Sequence, residues 1–474
     1  MKYVLDNRYL LRSWKDRLGG VVDTKRRDIC FLGKESYYLL LKCDGAHEID
    51  VETLPEDLRA FLRDFENKGV IRQAGFLDYI RPEQSHRRYP AAFKASAHWS
   101  ITGACNLKCR HCFMSAPHAK HGVPTHEQIM DIADQLVECG VFEVDLTGGE
   151  PLTREDFLDV VGALSQRGIS VGIIFTNGWL VDEKLLDELD TRGQHPEFQL
   201  SFDGVGAHDF LRGVPGAEEK TLGALRLLHE RGYATSASMC IHRKNRGALR
   251  DSVKLLASYG VGDLKVGSMM QLGEWASPDV RDLQLSHQEV LEAIEEYIPR
   301  YFEDGAPLSI ALAGAFAYAP GDERWCIHYR TECSAEQEKN VPSCGVLLTN
   351  FYIGPDGMVA PCMGMCDCGY AVNFPNLFRT PLRDIISPDS DFNRLCKTTV
   401  GEIRDHNGTC RACEFVDRCS GGCRNSVLIQ GDDYYAPDEE YCYFFKNGWE
   451  KRITVAAEDA FRDYMSQTAS VEER

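Results

Sequence analysis

The 474-residue chain contains no run of eighteen apolar residues. Its longest approach to one, Pro307 to Ala319, is short enough to be buried core, so no membrane-spanning helix is expected. Its start joins no basic patch to an apolar stretch, which leaves no reading as a signal peptide and predicts a cytoplasmic protein. Excess positive charge is also missing. Acidic residues outnumber basic ones by 72 to 53, and a net charge of −19 argues against nucleic acid or an anionic membrane as a general partner. Neither a short-period tandem repeat nor a long low-complexity tract organises the chain.

What is present is enough for several cores: 43% hydrophobic and 10% aromatic residues, in a length suited to roughly three domains. Nineteen cysteines in a large chain of this kind point to thiolate ligands in a reducing compartment rather than to disulfides. Residues 1–83 hold fifteen acidic and fifteen basic side chains, so the rest of the chain carries the whole net charge. That shift predicts a separate first module. Within it, Tyr3 to Trp14 and Val21 to Leu32 read as strands, Lys34 to Lys42 as a helix, and Pro55 to Asn67 as a second helix with Leu58, Phe61, Leu62 and Phe65 on one face. A return strand over Val70 to Gln73 completes a winged-helix-like pattern, and residues 84–96 read as a linker.

From Ala97 apolar runs alternate with amphipathic helices. The runs are His98–Thr102, Glu143–Thr147, Ser170–Thr176, Glu197–Asp203, Ala234–His242 and Asp263–Ser268, with five helices between them. The expected fold is α/β: a partial (β/α)6 TIM-like barrel over 97–306, with functional loops at the C-terminal ends of its strands. After about Pro307 the alternation stops, and 307–474 reads as a Cys-rich domain ending in a helix.

Directly after the first barrel strand comes Cys105-x3-Cys109-x2-Cys112. Three close thiolates suit an iron-sulfur cluster with one iron left open, while a zinc knuckle would want a fourth ligand, which His111 could supply. The second strand ends in Thr147-Gly148-Gly149-Glu150-Pro151, where two glycines allow close backbone approach and a carboxylate offers an acceptor to an ammonium. Together these loops resemble the radical S-adenosylmethionine (SAM) superfamily, whose CxxxCxxC loop holds a 4Fe–4S cluster and whose GGE motif lies against the methionine amino group. The resemblance implies further SAM contacts at Asn177 after strand three, at Ser201 and Asp203 after strand four, at His111 near adenine, and at Gly267 after strand six.

The C-terminal region holds Cys344, Gly357-x4-Cys362, Cys410-x2-Cys413-x5-Cys419-x3-Cys423 and Cys442. Cys410 to Cys423 in isolation would also suit structural zinc. In full, this order resembles the SPASM extension of radical SAM peptide- and protein-modifying enzymes, which binds two auxiliary 4Fe–4S clusters. Three clusters are therefore expected, together with SAM. The family pattern implies Cys344, Cys362 and Cys423 for a barrel-proximal cluster and Cys410, Cys413, Cys419 and Cys442 for a distal one. The proximal set is one ligand short, and Cys333, Cys366, Cys368 or a substrate thiolate would complete it. Cys30, Cys43, Cys139, Cys240 and Cys396 read as buried small hydrophobes.

The superfamily chemistry cleaves SAM reductively and uses the resulting 5′-deoxyadenosyl radical to take hydrogen from an unactivated carbon, so no ordinary catalytic base is assigned. The first module resembles the precursor-recognition element of ribosomal peptide maturases, in which a leader peptide adds a strand; winged-helix DNA binding is the rival, disfavoured by zero net charge. Sulfatase-type maturases place an Asp base directly after the second SPASM cysteine, where this chain has Met363. The expected activity is thus a thioether crosslink from a precursor cysteine to an acceptor carbon, as in sactipeptide or ranthipeptide maturases, with carbon–carbon crosslinking as the alternative. A flavodoxin or ferredoxin is the expected electron donor. A redox or metal-storage scaffold without SAM chemistry is disfavoured by Gly148 to Pro151.

Overall fold

A computed structural model of the chain describes residues 1–26, 28–269, 271–331 and 336–472. It divides into two compact units, the first made of 1–94 with 135–141 and 381–394, the second of the remainder.

In the first unit, each of the two long predicted strands is broken by an aspartate turn. Asp6 accepts a hydrogen bond from the Arg8 amide at 3.0 Å, and Asp23 accepts from the Lys25 and Arg26 amides, so the side chain caps a turn that the apolar pattern alone does not reveal. The products are β1 (Tyr3–Leu5), β2 (Tyr9–Ser13), β3 (Gly20–Asp23) and β4 (Asp28–Phe31), followed by α1 (Lys34–Leu41), α2 (Glu56–Asn67), β5 (Ile71–Gln73) and β6 (Arg87–Arg88). β1 pairs with β5, and the other strands form a sheet in the order β4-β3-β2-β6. The apolar face expected on α2 is the one that packs: Leu62 and Phe65 are buried and Leu58 and Phe61 lie against the same core as Tyr37, Leu40 and Ile71. β4 is an edge strand and is largely exposed.

The second unit contains the six predicted barrel strands: β7 (Ser96–Ser100), β8 (Glu143–Thr147), β9 (Ser170–Thr176), β10 (Glu197–Ser201), β11 (Thr235–Ile241) and β12 (Asp263–Ser268), all parallel to their neighbours. Between them run α3 (His126–Cys139), α4 (Phe157–Gln166), α5 (Glu183–Thr191), the short α6 (His208–Arg212), α7 (Ala217–Glu230) and α8 (Leu249–Ser258); α9 (His287–Glu303) follows β12. The strand pattern does not end at Pro307 as the sequence suggested. β13 (Ser309–Leu312) continues the parallel sheet, β14 (Phe316–Tyr318) turns back on it, and β15 (Asn350–Ile353) with β16 (Val359–Ala360) extends the opposite edge beside β7. These strands are short and sit among Gly and Pro, so their period is hard to see, but they cover both open edges of an unclosed barrel.

The curl of the ten-stranded sheet is visible in its electrostatics. His98 on β7 feels the Lys265 ammonium on β12, five strands along the sheet, which requires both side chains to point into the concave side. Ala97, Trp99, Val144, Leu146, Phe198, Leu200, Leu264 and Val266 alternate with these inward positions and are buried. The inner face is acidic: Glu143, Asp145, Glu197 and Asp263 interact with one another across β8, β10 and β12.

Burial, reinforced by Glu143, pushes the Asp145 carboxyl up to about 7. A raised folded-state value means the folded chain holds its proton longer, so stability is full at low pH and is lost as pH rises toward 7. Asp145→Asn should therefore be more stable than wild type at pH 8 by on the order of 2 kcal/mol, with the gap closing toward pH 4.5 in denaturant titrations.

Candidate active site and cluster centres

The loop carrying Cys105, Cys109 and Cys112 leaves β7 and is fastened to the loop that leaves β8. Gly149 and Glu150 donate their amides to the carbonyls of Thr102 and Ala104 at 2.8 and 2.9 Å. A side chain at Gly148 or Gly149 would meet those same carbonyl oxygens at 2.4 and 2.2 Å, so the chain's own backbone already requires both glycines. Glu150 is fully buried. Its Oε1 accepts from Thr176 Oγ1 at 2.8 Å and from the Leu152 amide at 3.2 Å, and its Oε2 accepts from the Asn177 amide at 2.8 Å. The carboxylate expected to face an ammonium thus also stitches the ends of β8 and β9 together, and burial pushes its carboxyl up to about 7. Asn177 continues the network by donating from Nδ2 to Asn106 Oδ1 at 2.8 Å, beside Cys105.

Each loop thiol has an N–H aimed at it: Leu107 N to Cys105 at 3.4 Å, Arg212 Nη1 to Cys109 at 3.7 Å and Ala116 N to Cys112 at 3.2 Å. Burial pushes all three thiols up, Cys105 to about 12. A cationic centre is what would hold them as thiolates, and the N–H donors are the outer contacts such ligands take. A tetrahedral zinc would draw sulfurs to about 3.8 Å of one another. Among the described residues, the group of three potential ligands whose atoms all lie within 4.8 Å is His111, Asp203 and Cys240, not the loop cysteines.

The ends of β10, β11 and β12 complete the mouth. Asp203 is fully buried, with Oδ2 2.7 Å from Arg212 Nη2 and Oδ1 accepting from the Cys240 amide at 3.0 Å. Burial alone would raise its carboxyl, but Arg212, with His111 and His208, holds it below the usual range. His111 lies beside it with Nδ1 unpartnered, its imidazole pushed down to about 4 by burial. Ser201 is half-buried at the end of β10. Gly267 pairs with Cys240, and a Cβ there would meet nothing within 4 Å, so open space lies beside it. The mouth therefore brings together His111, Asp203, Cys240 and Gly267. Cys240 is half-buried against the apolar cluster of Leu211, Met269, Trp275 and Val280 while its thiol also meets His111 and Asp203, Cys30 is exposed on β4, and Cys43, Cys139 and Cys396 are buried. Arg212 and His208 carry no motif; only the need of a buried Asp203 for a counter-charge would have pointed to them.

In the C-terminal half, Cys410, Cys413, Cys419 and Cys442 line one cavity with Phe415, Tyr441 and Phe445. Cys362 interacts electrostatically with Cys344 and Cys423. Cys366 and Cys368 are buried in an apolar core with Met365, Phe374 and Leu428 on which Cys362 also packs, and Cys366 interacts electrostatically with Cys362, while Cys368 donates to the Met365 carbonyl at 3.2 Å. Cys333 lies outside the described residues. Phe113 of the first cysteine loop packs on the same core, and Lys120 and His121 approach Asp367 and Asp356, so that loop rests on the segment bearing Cys362.

A barrel with a three-thiol loop at its mouth and further thiol sets beyond it has the ligand groups of an iron-sulfur protein. Residues 99–256 match the radical SAM superfamily and residues 344–414 match SPASM, an iron-sulfur cluster-binding domain. The chain thus carries a radical SAM domain followed by a SPASM domain. It is 25% identical over 362 residues to an AdoMet-dependent heme synthase of Methanosarcina barkeri, covering 73% of this chain and 95% of that one. It is 24% identical over 349 residues to the antilisterial bacteriocin subtilosin biosynthesis protein AlbA of Bacillus subtilis, covering 70% and 71%. Its fold is similar to that of Streptococcus suis SuiB bound to the precursor peptide SuiA, with TM-score 0.62, 16% identity, and coverage of 93% of this chain and 99% of that one.

Asp203→Asn should leave Arg212 buried without its counter-charge and cost about 3–5 kcal/mol, read from denaturation midpoints. The Asp203→Asn/Arg212→Met double variant should recover much of that loss; additive losses would contradict the pairing.

Proposed function

We propose that this enzyme modifies a ribosomally made precursor peptide by joining a cysteine sulfur to an acceptor carbon. The observation that carries the reading is the packing of the Cys105–Cys112 loop, through Phe113, Lys120 and His121, on the segment bearing Cys362. One centre can thereby begin the reaction and a second can take up the electron that bond closure releases. When bound, SAM and the open-site cluster supply a hydrogen-abstracting radical, and the protein's part is to hold, orient and shield. Cys105, Cys109 and Cys112 would hold the first cluster, Cys344, Cys362 and Cys423 the proximal auxiliary cluster, and Cys410, Cys413, Cys419 and Cys442 the distal one.

We assign Gly148, Gly149, Glu150, Asn177, His111, Ser201 and Asp203 to SAM, with the open space beside Gly267 available to a flat ring. Arg212 orients Asp203 and Cys109 together. Residues 1–83 are assigned to the leader, with the exposed edge of β4 as the strand it would extend. We assign 97–306 to the barrel, extended by β13 to β16, and the auxiliary-cluster ligands to 307–474; the segment expected as a linker, 84–96, contributes β6 to the first unit's sheet. Fold likeness over 93% of the chain to a protein bound to its precursor peptide supports a peptide substrate, whereas the heme synthase match leaves about a quarter of this chain unmatched. A sulfatase-type base is disfavoured: Met363 follows Cys362, and the next acid, Asp367, is paired with Lys120 at 2.5 Å.

A thiol and a C–H would become a C–S bond with loss of two hydrogens. Coexpression with a small Cys-containing precursor peptide should give that mass loss per crosslink, with the participating cysteine protected from alkylation. The same mass loss with every cysteine freely alkylated would replace the thioether by a carbon–carbon bond.

A further inference from the structure

The cavity lined by Cys410, Cys413, Cys419 and Cys442 has two charged side chains in its wall, Arg404 and Lys446, and both are cations; among the described residues no carboxylate lines it. Lys446 is exposed, so solvent screens its charge. Arg404 is only 2% exposed and reaches the ligand loop directly from the helix Val400–His406. Its Nη2 donates to the Cys419 carbonyl at 3.0 Å and to the Val416 carbonyl, and its Nη1 donates to Glu338 Oε2.

Glu338, 3% exposed, accepts at its other oxygen from Arg411 Nη1 at 2.8 Å, and Arg411 is the residue after Cys410. Asp405 is a second, exposed partner of Arg411. The segment bearing Glu338 is seated through its backbone: the Gly401 amide donates to the Glu338 carbonyl at 3.0 Å and the Val400 amide to the Val341 carbonyl at 2.9 Å. One carboxylate and one guanidinium thus tie together the Cys410 turn, the Cys419 end of the ligand loop and the segment that leads to Cys344. Stability alone gives little reason for the arrangement, because a buried ion pair is worth little over apolar side chains of the same volume. The placement of the charge is more telling, since Arg404 lines the cavity and Glu338 does not.

We propose that Arg404 is the positioning residue of the distal auxiliary cluster, holding the Cys419 end of its ligand loop and setting a permanent positive charge against it that raises its reduction potential. The inference rests on the assignment of these four cysteines to a 4Fe–4S cluster. Reduction adds one electron and makes or breaks no bond. A cluster held by four thiolates is anionic and becomes more so when reduced, so a cation fixed beside it in a water-poor wall favours the reduced form. The cluster then accepts an electron more readily than its four thiolates alone would allow.

The test is a redox titration of the anaerobically reconstituted full chain followed by electron paramagnetic resonance, the distal signal being the one lost in the Cys410→Ala/Cys413→Ala variant. Arg404→Gln should shift the midpoint of that signal to lower potential and leave the other midpoints in place, and Arg404→Lys, which keeps the charge, should recover most of the shift. Glu338→Gln should move the same midpoint upward, because it removes the carboxylate that offsets the guanidinium. A pair with a purely structural role would give shifts of one sign. Iron content reports whether each variant loads the cluster, with Arg404→Met in place of Arg404→Gln if that one does not. An unmoved midpoint in the neutral variant, or shifts of the same sign at Arg404 and Glu338, overturns the inference. Zinc in place of iron at the four cysteines of the wild type overturns the cluster assignment itself.

Discussion

Two backbone hydrogen bonds, from Gly149 and Glu150 to the carbonyls of Thr102 and Ala104, hold the first two strand-end loops of the barrel against each other. No side chain fits between those loops, which is why two glycines stand there, and the cysteine loop begins at the next residue. Glu150 then binds the third strand end through Thr176 and Asn177, and Asn177 returns to Asn106 inside the cysteine loop. The position of the thiols is therefore set by backbone geometry shared among three strands rather than by the thiols themselves. Such a site is pre-organised before any cofactor arrives, which is what a reaction dependent on orientation requires.

The opposite side of the mouth is held by charge. Arg212 joins Asp203 to Cys109 in a buried environment, where an unpaired charge would be costly and a paired one is rigidly placed. Beyond the mouth, β15 adds to the barrel at β7, and the C-terminal half continues the same sheet. Ser100 Oγ at the end of β7 and Tyr352 Oη on β15 share a buried hydrogen bond at 2.9 Å, so the first strand is tied to the segment that leads into Cys362. The cluster-bearing regions of the second unit are thus continuous in hydrogen bonding as well as in sequence.

Much of this was legible from the residues. The spacing of Cys105 to Cys112, the Gly-Gly-Glu turn and the later cysteines announce metal chemistry, because ligand geometry demands fixed spacings. The six barrel strands were legible because a strand covered by helices leaves a compact apolar run. The aspartate turns at Asp6 and Asp23 were not, since a side chain capping the backbone leaves the apolar pattern intact. β13 to β16 escaped notice because strands of two to four residues show too little period. Arg212 and His208 could not be picked out in advance. Their importance comes from the fully buried Asp203 carboxylate beside them, and that burial is a property of the fold.

The account depends most on the Cys105, Cys109 and Cys112 loop holding an open-site cluster and the C-terminal cysteines holding two more. Iron and sulfide analysis of the anaerobically reconstituted protein and of its Cys105/Cys109/Cys112→Ala variant, paired with SAM cleavage under a strong reductant, tests it directly. The expected result is three clusters' worth of iron in the wild type, loss of about one cluster's complement in the variant, and 5′-deoxyadenosine only from the former. Stoichiometric zinc with little iron, or equal SAM cleavage by both proteins, would contradict it.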